Sequence, residues 1–216
     1  IHIIGSSGGG YATLLAYMKT RHPVSTFSAW VPISNLVDWY YESVGRNQKY
    51  ARDIAQATTG KKFDKEAYYI NEEEARKRSP YFMETPVKRR AGSKLYIHTG
   101  IHDGYTGSVP ITQSMKFYNK IVRDFNPENN ESLISEKKML SLVERRNTRI
   151  SHPLDVETGH IHYQKSYSDK VRLTVFEGGH QMLPDKALDP ANGKKVLAIG
   201  DSNGALENGW VEQLKA

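Results

Sequence analysis

Short apolar runs alternate along this chain with segments whose apolar residues recur at helical spacing. Short apolar or alternating runs are typical of buried strands, whereas apolar residues three or four positions apart indicate amphipathic helices. The runs predict strands at residues 1–4, 27–33, 94–99, 171–176 and 196–199. The first run ends at a cluster of glycines.

The predicted helices lie between these strands. In residues 9–21, Tyr11, Leu14 and Met18 recur at helical spacing, and Pro23 follows the end of the segment. Further helices are predicted at residues 36–57 (in pieces), 72–78, 111–122, 135–146 and 205–216, with loops at 126–131 and 149–167 and a linker at 184–195.

Strands that alternate with helices predict an α/β fold with a mostly parallel sheet. The sequence contains no internal repeat of solenoid length and no low-complexity tract. A length of 216 residues corresponds to one domain, or to one domain and a piece of another.

The composition and charge exclude several kinds of site and partner. The chain has no cysteine, which excludes disulfides, thiolate zinc sites and cysteine nucleophiles. No apolar run approaches the roughly 18–20 residues of a membrane-spanning helix. The net charge is +6, with basic clusters at 76–78, 88–90, 137–138 and 145–146. Acidic residues are interleaved and no nucleic-acid-binding signature is present, so we interpret the clusters as solvated helix faces and expect neither nucleic acid nor a membrane as a partner.

Residues 5–9, Gly-Ser-Ser-Gly-Gly, match the motif G-x-S-x-G between a predicted strand and a predicted helix. On such a turn the glycines relieve clashes and the Oγ of Ser7 is lifted clear of the sheet. The backbone N–H of Gly8 would lie beneath a developing oxyanion, where the helix N-terminus favours negative charge. The alternative interpretation is a glycine-rich turn that only packs a helix on a strand.

A nucleophilic serine needs a base, and the base needs an orienting acid. In α/β hydrolases these residues follow in the order serine, acid, histidine. Asp103 follows the third predicted strand and His180 follows the fourth, so both lie just past the carboxyl end of a strand, where ligands and catalytic groups collect. Each could singly be an ordinary loop residue, but the ordered set Ser7, Asp103 and His180 predicts a catalytic triad.

Other residues of the same types receive different interpretations. His102 is expected to point elsewhere on its loop, and Ser6 occupies the variable position of the motif. His152, His160 and His162 are interpreted as surface or lid residues, because no acidic partner has a suitable metal-ligand spacing. We therefore expect no metal and no cofactor.

Residues 5–11, Gly-Ser-Ser-Gly-Gly-Gly-Tyr, resemble the nucleophile segment of the prolyl oligopeptidase family of serine peptidases. Residues 100–103, Gly-Ile-His-Asp, with Val109-Pro110 shortly after them, resemble the aspartate segment of that family. Residues 176–180, Phe-Glu-Gly-Gly-His, resemble its histidine segment. The resemblance covers about residues 1–183.

The resemblance implies an α/β-hydrolase domain at residues 1–183, with helices on both faces of a mostly parallel sheet. It implies that Ser7 is the nucleophile, that His180 is the base and that Asp103 is its partner, with Gly8 in the oxyanion hole. Members of the family have strands before the nucleophile strand, and we expect those N-terminal strands to be missing here. The insert near residues 126–168 lengthens the usual interval between acid and histidine and is a candidate lid.

A second signal follows the predicted linker at 184–195. Residues 196–204, Val-Leu-Ala-Ile-Gly-Asp-Ser-Asn-Gly, resemble the first block of the GDSL, or SGNH, hydrolase family. Residues 196–216 would then be the first strand and helix of a second, C-terminally truncated hydrolase domain with Ser202 as its nucleophile. The alternative is that Ser202 caps the last helix of the first domain.

We therefore expect a serine hydrolase that acts through an acyl-enzyme, first as a prolyl oligopeptidase-type peptidase on peptide bonds. The alternative is a carbohydrate esterase that removes acetyl or feruloyl groups with the same triad, which the GDSL-like segment favours by analogy. A third possibility is a non-catalytic binding module. The sequence predicts no compartment, although the esterase interpretation would favour a periplasmic or secreted protein.

Overall fold

The computed structural model describes residues 1–47, 49–62, 68–145, 160–187 and 195–200. Within them the strands are β1 (His2–Ser6), β2 (Thr26–Trp30), β3 (Lys94–Gly100), β4 (Ile161–Tyr167), β5 (Val171–Phe176) and β6 (Val196–Ile199). The helices are α1 (Gly8–Lys19), α2 (Leu36–Gly45), α3 (Tyr50–Thr59), α4 (Glu72–Arg78), α5 (Ile111–Phe125), α6 (Glu136–Arg145) and α7 (Pro184–Ala187). None of the helices in these ranges is long and apolar enough to cross a membrane.

The strands form one sheet in the order β4-β5-β3-β2-β1-β6. Every neighbouring pair is parallel except β4 and β5, which are antiparallel. The prediction of an α/β fold with a mostly parallel sheet is therefore confirmed. Because β1, β3 and β5 run in the same direction, the segments that follow them all leave from one edge of the sheet.

The main core lies between one face of the sheet and the helices α1, α5 and α6. Alternate strand residues such as Phe27, Ile97 and Leu173 are fully buried there against Leu14 and Phe117. On the opposite face, a smaller cluster joins Ile4, Trp30 and Phe176 to Met182 and to Ala187 of α7. Helices α2 and α3 form a third cluster with Val109, next to the segment that follows β3.

Three segments differ from the sequence prediction. The strand predicted at 27–33 ends at Trp30. Residues 149–167 were predicted as loop, but 161–167 form the edge strand β4, which pairs with β5. Its residues are mostly polar, and each is exposed or partly buried, so no apolar run marks the strand. Pairing with β5 stabilises it. The predicted linker contains the short helix α7, because Ala187 is buried against the sheet.

The strand predicted at 196–199 forms, and it pairs in parallel with β1 as an edge strand of the same sheet. Residues 201–216 lie outside the described residues, so the prediction that 196–216 begin a second hydrolase domain stays a prediction.

The basic clusters have different environments. Residues Arg76, Lys77 and Arg78 pair along α4 with Glu72, Glu73 and Glu74, all on an exposed surface. Arg90, in contrast, is buried, and its guanidinium donates to the carbonyls of Tyr17 and Thr20 at 2.6 Å each. It satisfies the C-terminal carbonyls of α1, so the interpretation of this arginine as part of a solvated face was wrong.

His98 of β3 makes folding sensitive to acid. Its ring is stacked on Trp30 with 3.9 Å between ring centres, and burial, with the nearby Arg172 charge, lowers its pKa to about 3. The unfolded chain therefore binds a proton at this position between about pH 6.5 and about pH 3, while the folded protein does not. The free energy of unfolding is therefore highest above about pH 6.5, and it decreases as the pH falls from about 6.5 to about 3.

We expect His98→Phe to flatten the pH dependence of stability. The free energy of unfolding of the wild type should fall more steeply below pH 6.5, by up to about 1.4 kcal/mol per pH unit. Urea unfolding at pH 4, 5, 6 and 7 measures the difference, with the exposed His22→Gln as control. Parallel pH profiles for wild type and His98→Phe would contradict the prediction.

Candidate active site

Ser7 lies on a tight turn between β1 and α1. Its φ of 55° and ψ of −116° put it in a region that residues with a side chain rarely adopt. Its N–H donates to the carbonyl of Trp30 at 2.9 Å, and its carbonyl accepts from the N–H of Tyr11 at 2.9 Å. These bonds join the strained turn to the end of β2 and to the first turn of α1.

The glycines around Ser7 are required by close backbone contacts. A Cβ on Gly5 would lie 2.1 Å from the carbonyl oxygen of Gly9, and a Cβ on Gly9 would lie 2.0 Å from that of Ile199. A Cβ on Gly10 would lie 2.6 Å from the carbonyl oxygen of Trp30. All three positions exclude a side chain, so helix and strands approach closely enough to hold the serine at the sheet edge.

We expect Gly5→Ala to distort this turn. The added Cβ meets backbone rather than a movable side chain, so the variant should lose about 1–3 kcal/mol of stability. The matched control is Gly45→Ala, where an added Cβ has nothing within 4 Å. Urea unfolding of both variants checks the expectation, and equal stabilities would contradict it.

Asp103 lies in the segment after β3 and is completely buried. Its Oδ1 accepts from the N–H groups of Gly104 and Val109, each at 3.0 Å. Its Oδ2 is 2.8 Å from Nδ1 of His180. Both oxygens are therefore engaged, and the carboxylate presents a fixed acceptor to the imidazole.

His180 lies in the segment after β5 and joins the other two residues. Its Nε2 is 2.8 Å from the Oγ of Ser7, and its Nδ1 is held by Asp103. The side chain of His180 is 15% exposed, whereas that of Asp103 is completely buried. The three residues predicted from the sequence thus form one hydrogen-bonded chain from serine to histidine to aspartate.

This geometry has a definite chemical consequence. When Nδ1 of His180 donates to Asp103, Nε2 carries the lone pair and can accept the proton of the Ser7 hydroxyl. The buried carboxylate also stabilises the imidazolium that forms when that proton arrives.

The segment between β3 and α5, residues 101–110, carries Asp103 and is called the acid segment below. The sequence did not point to the residues that hold it in place. The guanidinium of Arg46 donates to the carbonyls of Gly104, Gly107 and Ser108 at 3.2, 2.9 and 2.8 Å. A Cβ on Gly107 would lie 2.3 Å from Oδ1 of Asp103 and 2.7 Å from Cβ of His180. A residue without a side chain is thus needed where the acid segment meets residues 177–183, called the base segment, which carry His180. No sequence motif marks Arg46 or Gly107.

Gly8, the predicted oxyanion donor, is exposed at the first position of α1. The N–H groups of a first helical turn have no carbonyl partner within the helix, and the helix dipole favours negative charge in front of them. The placement next to Ser7 is what the predicted role requires.

The remaining sequence candidates lie apart from this chain of hydrogen bonds. Ser6 is buried at the end of β1. His102 and His162 contact Glu177, at 2.6 and 2.5 Å. The side chain of His162 is only 9% exposed, so its interpretation as a surface residue was wrong.

Ser202 and His152 lie outside the described residues. Within the described ranges, no group of three or more His, Asp or Glu side chains is arranged to hold a metal ion.

Comparison with known proteins identifies no relative: no protein-family model, curated protein or solved structure matches this chain.

Proposed function

We propose that this chain carries the catalytic centre of a serine hydrolase with an α/β-hydrolase fold. The observation that carries the proposal is the hydrogen-bonded chain Ser7–His180–Asp103, with both distances at 2.8 Å. A glycine-rich turn that only packed a helix on a strand would not require an imidazole at the serine and a buried carboxylate behind it.

The topology supports the hydrolase assignment. Ser7 lies between the internal strand β1 and helix α1. Asp103 follows β3, which is separated from β1 by β2, and His180 follows β5, the neighbour of β3. The order of the three residues along the chain is the order found in α/β hydrolases, which supports the proposal. The strained backbone of Ser7 corresponds to the sharp turn that exposes the serine in such enzymes.

In the first half of the reaction, the Oγ of Ser7 attacks the carbonyl carbon of the substrate as its proton passes to Nε2 of His180. The carbonyl π electrons move to oxygen, and the N–H of Gly8 faces that oxyanion. Asp103 holds the imidazolium by its Nδ1–H. When the intermediate collapses, the bond to the leaving group breaks and His180 returns the proton to that group.

In the second half, a water molecule replaces the leaving group. His180 removes a proton from the water as its oxygen attacks the acyl carbon, and a second tetrahedral intermediate forms. Its collapse breaks the bond to Oγ, His180 reprotonates Ser7, and the carboxylic acid leaves. The cycle consumes one water and needs no redox partner.

The proposed substrate class is a peptide bond, as the resemblance to the prolyl oligopeptidase family implies. The ester alternative uses the same steps with an alkoxide as the leaving group, and the GDSL-like residues 196–204 remain its support. Hydrolysis of a peptide anilide, compared with that of acetyl and feruloyl esters, separates the two classes.

Labelling of the chain with a fluorophosphonate probe tests the proposal, with peptide mass spectrometry to locate the modified serine. We expect the label on Ser7, and we expect acid denaturation before labelling to abolish it, because the hydroxyl is then an ordinary alcohol. Label on Ser202 alone, or no label on the folded protein, would overturn the proposal for the Ser7 centre.

A further inference from the structure

Glu177 is a buried carboxylate in the segment that carries His180. Its side chain is only 2% exposed and lies between two imidazoles. Its Oε1 is 2.6 Å from Nε2 of His102, and its Oε2 is 2.5 Å from Nε2 of His162. When the carboxylate is ionised it only accepts hydrogen bonds, and both ring nitrogens then donate to it.

The three side chains come from three different segments. His102 directly precedes Asp103, Glu177 lies three residues before His180, and His162 lies on the edge strand β4. The carboxylate therefore connects the acid segment, the base segment and the edge of the sheet.

Backbone contacts also hold these segments against one another. The N–H of His102 donates to the carbonyl of Gly178 at 3.0 Å, and the N–H of Glu177 donates to that of His160 at 2.6 Å. A Cβ on Gly100 would lie 2.2 Å from the carbonyl oxygen of Gly179, so no side chain fits between the segments. The Glu177 side chain adds hydrogen bonds to His102 and His162 to these backbone contacts.

The energetics make these hydrogen bonds necessary. The transfer of a carboxylate from water to the protein interior is strongly unfavourable unless its oxygens accept hydrogen bonds. Loss of one imidazole removes a hydrogen bond from a buried carboxylate oxygen. The base segment can then lower its free energy by moving so that water hydrates this oxygen. The Ser7–His180–Asp103 geometry would move with it.

We propose that Glu177 is a positioning residue of the catalytic centre, which joins the acid and base segments through His102 and His162. This inference rests on the proposed function of Ser7, His180 and Asp103. It assigns a role to His162, which lies in the insert that the sequence indicated as a lid: β4 contacts the segment that carries His180 through this side chain.

Substitution of Glu177 tests the role. We expect Glu177→Ala to lower kcat for an activated aryl ester by about 10²-fold with little change in KM, because small misplacements of reacting groups have effects of that size. Glu177→Gln should recover most of this loss. Its amide oxygen accepts from one imidazole and its N–H donates to the other, whose tautomer reverses. The matched control is Gln164→Ala, which removes a side-chain hydrogen bond between β4 and Thr174 of β5 and should leave kcat unchanged.

A second readout does not depend on turnover. The Nδ1–H proton of His180, held by Asp103, gives a low-field proton NMR signal, which we expect in the wild type and in Gln164→Ala. The signal should broaden or disappear in Glu177→Ala. Thermal unfolding of the same sample is expected to show that the variant is folded. If Glu177→Ala does not fold, His162→Ala removes one of the two hydrogen bonds from outside both catalytic segments, and the same loss of signal is expected.

Unchanged kcat and an unchanged NMR signal in a folded Glu177→Ala variant would overturn the inference. A loss that Glu177→Gln does not reverse would overturn the hydrogen-bonding role. Failure of the proposed function gives a different result: the wild type would show the low-field signal, but Ser7 would not be labelled. The NMR signal of the variants would still decide the role of Glu177.

Discussion

Ser7→Ala is expected to lower kcat by about 10⁶-fold, the loss seen when the nucleophile of a comparable triad is removed. The substitution deletes the atom that is proposed to form the acyl-enzyme, and it leaves His180 held by Asp103 without a hydroxyl at Nε2. Hydrolysis of both the peptide anilide and the aryl ester should fall to the level that binding and the oxyanion donors alone sustain. Stability should change little, because one hydroxyl at a half-exposed position is removed.

Two serine variants serve as controls for Ser7→Ala. Ser6→Ala changes the neighbouring serine of the motif, which is buried at the end of β1, and should retain most of the activity. Ser202→Ala tests the second candidate nucleophile and should also retain activity. A Ser7→Ala variant that hydrolyses either substrate within tenfold of the wild-type rate would refute the proposed nucleophile.

Asp103→Asn should lower kcat by about 10⁴-fold, the effect of the same change in a well-characterised triad. Oδ1 of Asp103 accepts from two backbone N–H groups, so the amide oxygen of the asparagine takes that position. The amide NH₂ then faces Nδ1 of His180 and must donate to it. The imidazole is forced into the tautomer with a proton on Nε2, and that nitrogen can no longer accept the proton of Ser7.

The appropriate control for Asp103→Asn is Asp169→Asn. The Asp169 carboxylate is 84% exposed and pairs with Lys94 at 3.6 Å, so its replacement should leave kcat unchanged. Steady-state kinetics over pH 6–9 and thermal unfolding complete the measurement. A folded Asp103→Asn variant with less than a tenfold loss of kcat would assign the orienting acid to another residue.

Features that depend on neighbours along the chain were predictable from the sequence. The apolar run before Ser7, the glycines around it and the amphipathic segment after it predict a strand, a tight turn and a helix, because these signals act within a few residues. The positions of Asp103 and His180 after strands follow in the same way. An α/β fold then brings those positions to one sheet edge, since parallel strands end together.

The tertiary structure decided which side chains meet. Asp103 and His180 are 77 residues apart, and Ser7 and His180 are 173 apart, so no local signal fixes their distances. The polar strand β4 depends on pairing with β5, and Arg46 and Glu177 act through carbonyls and imidazoles that folding brings together. The sequence by itself determined the class of fold and the chain order of the candidate triad. Its assembly and its supporting contacts depend on burial and long-range hydrogen bonds, which arise only when the sheet is complete.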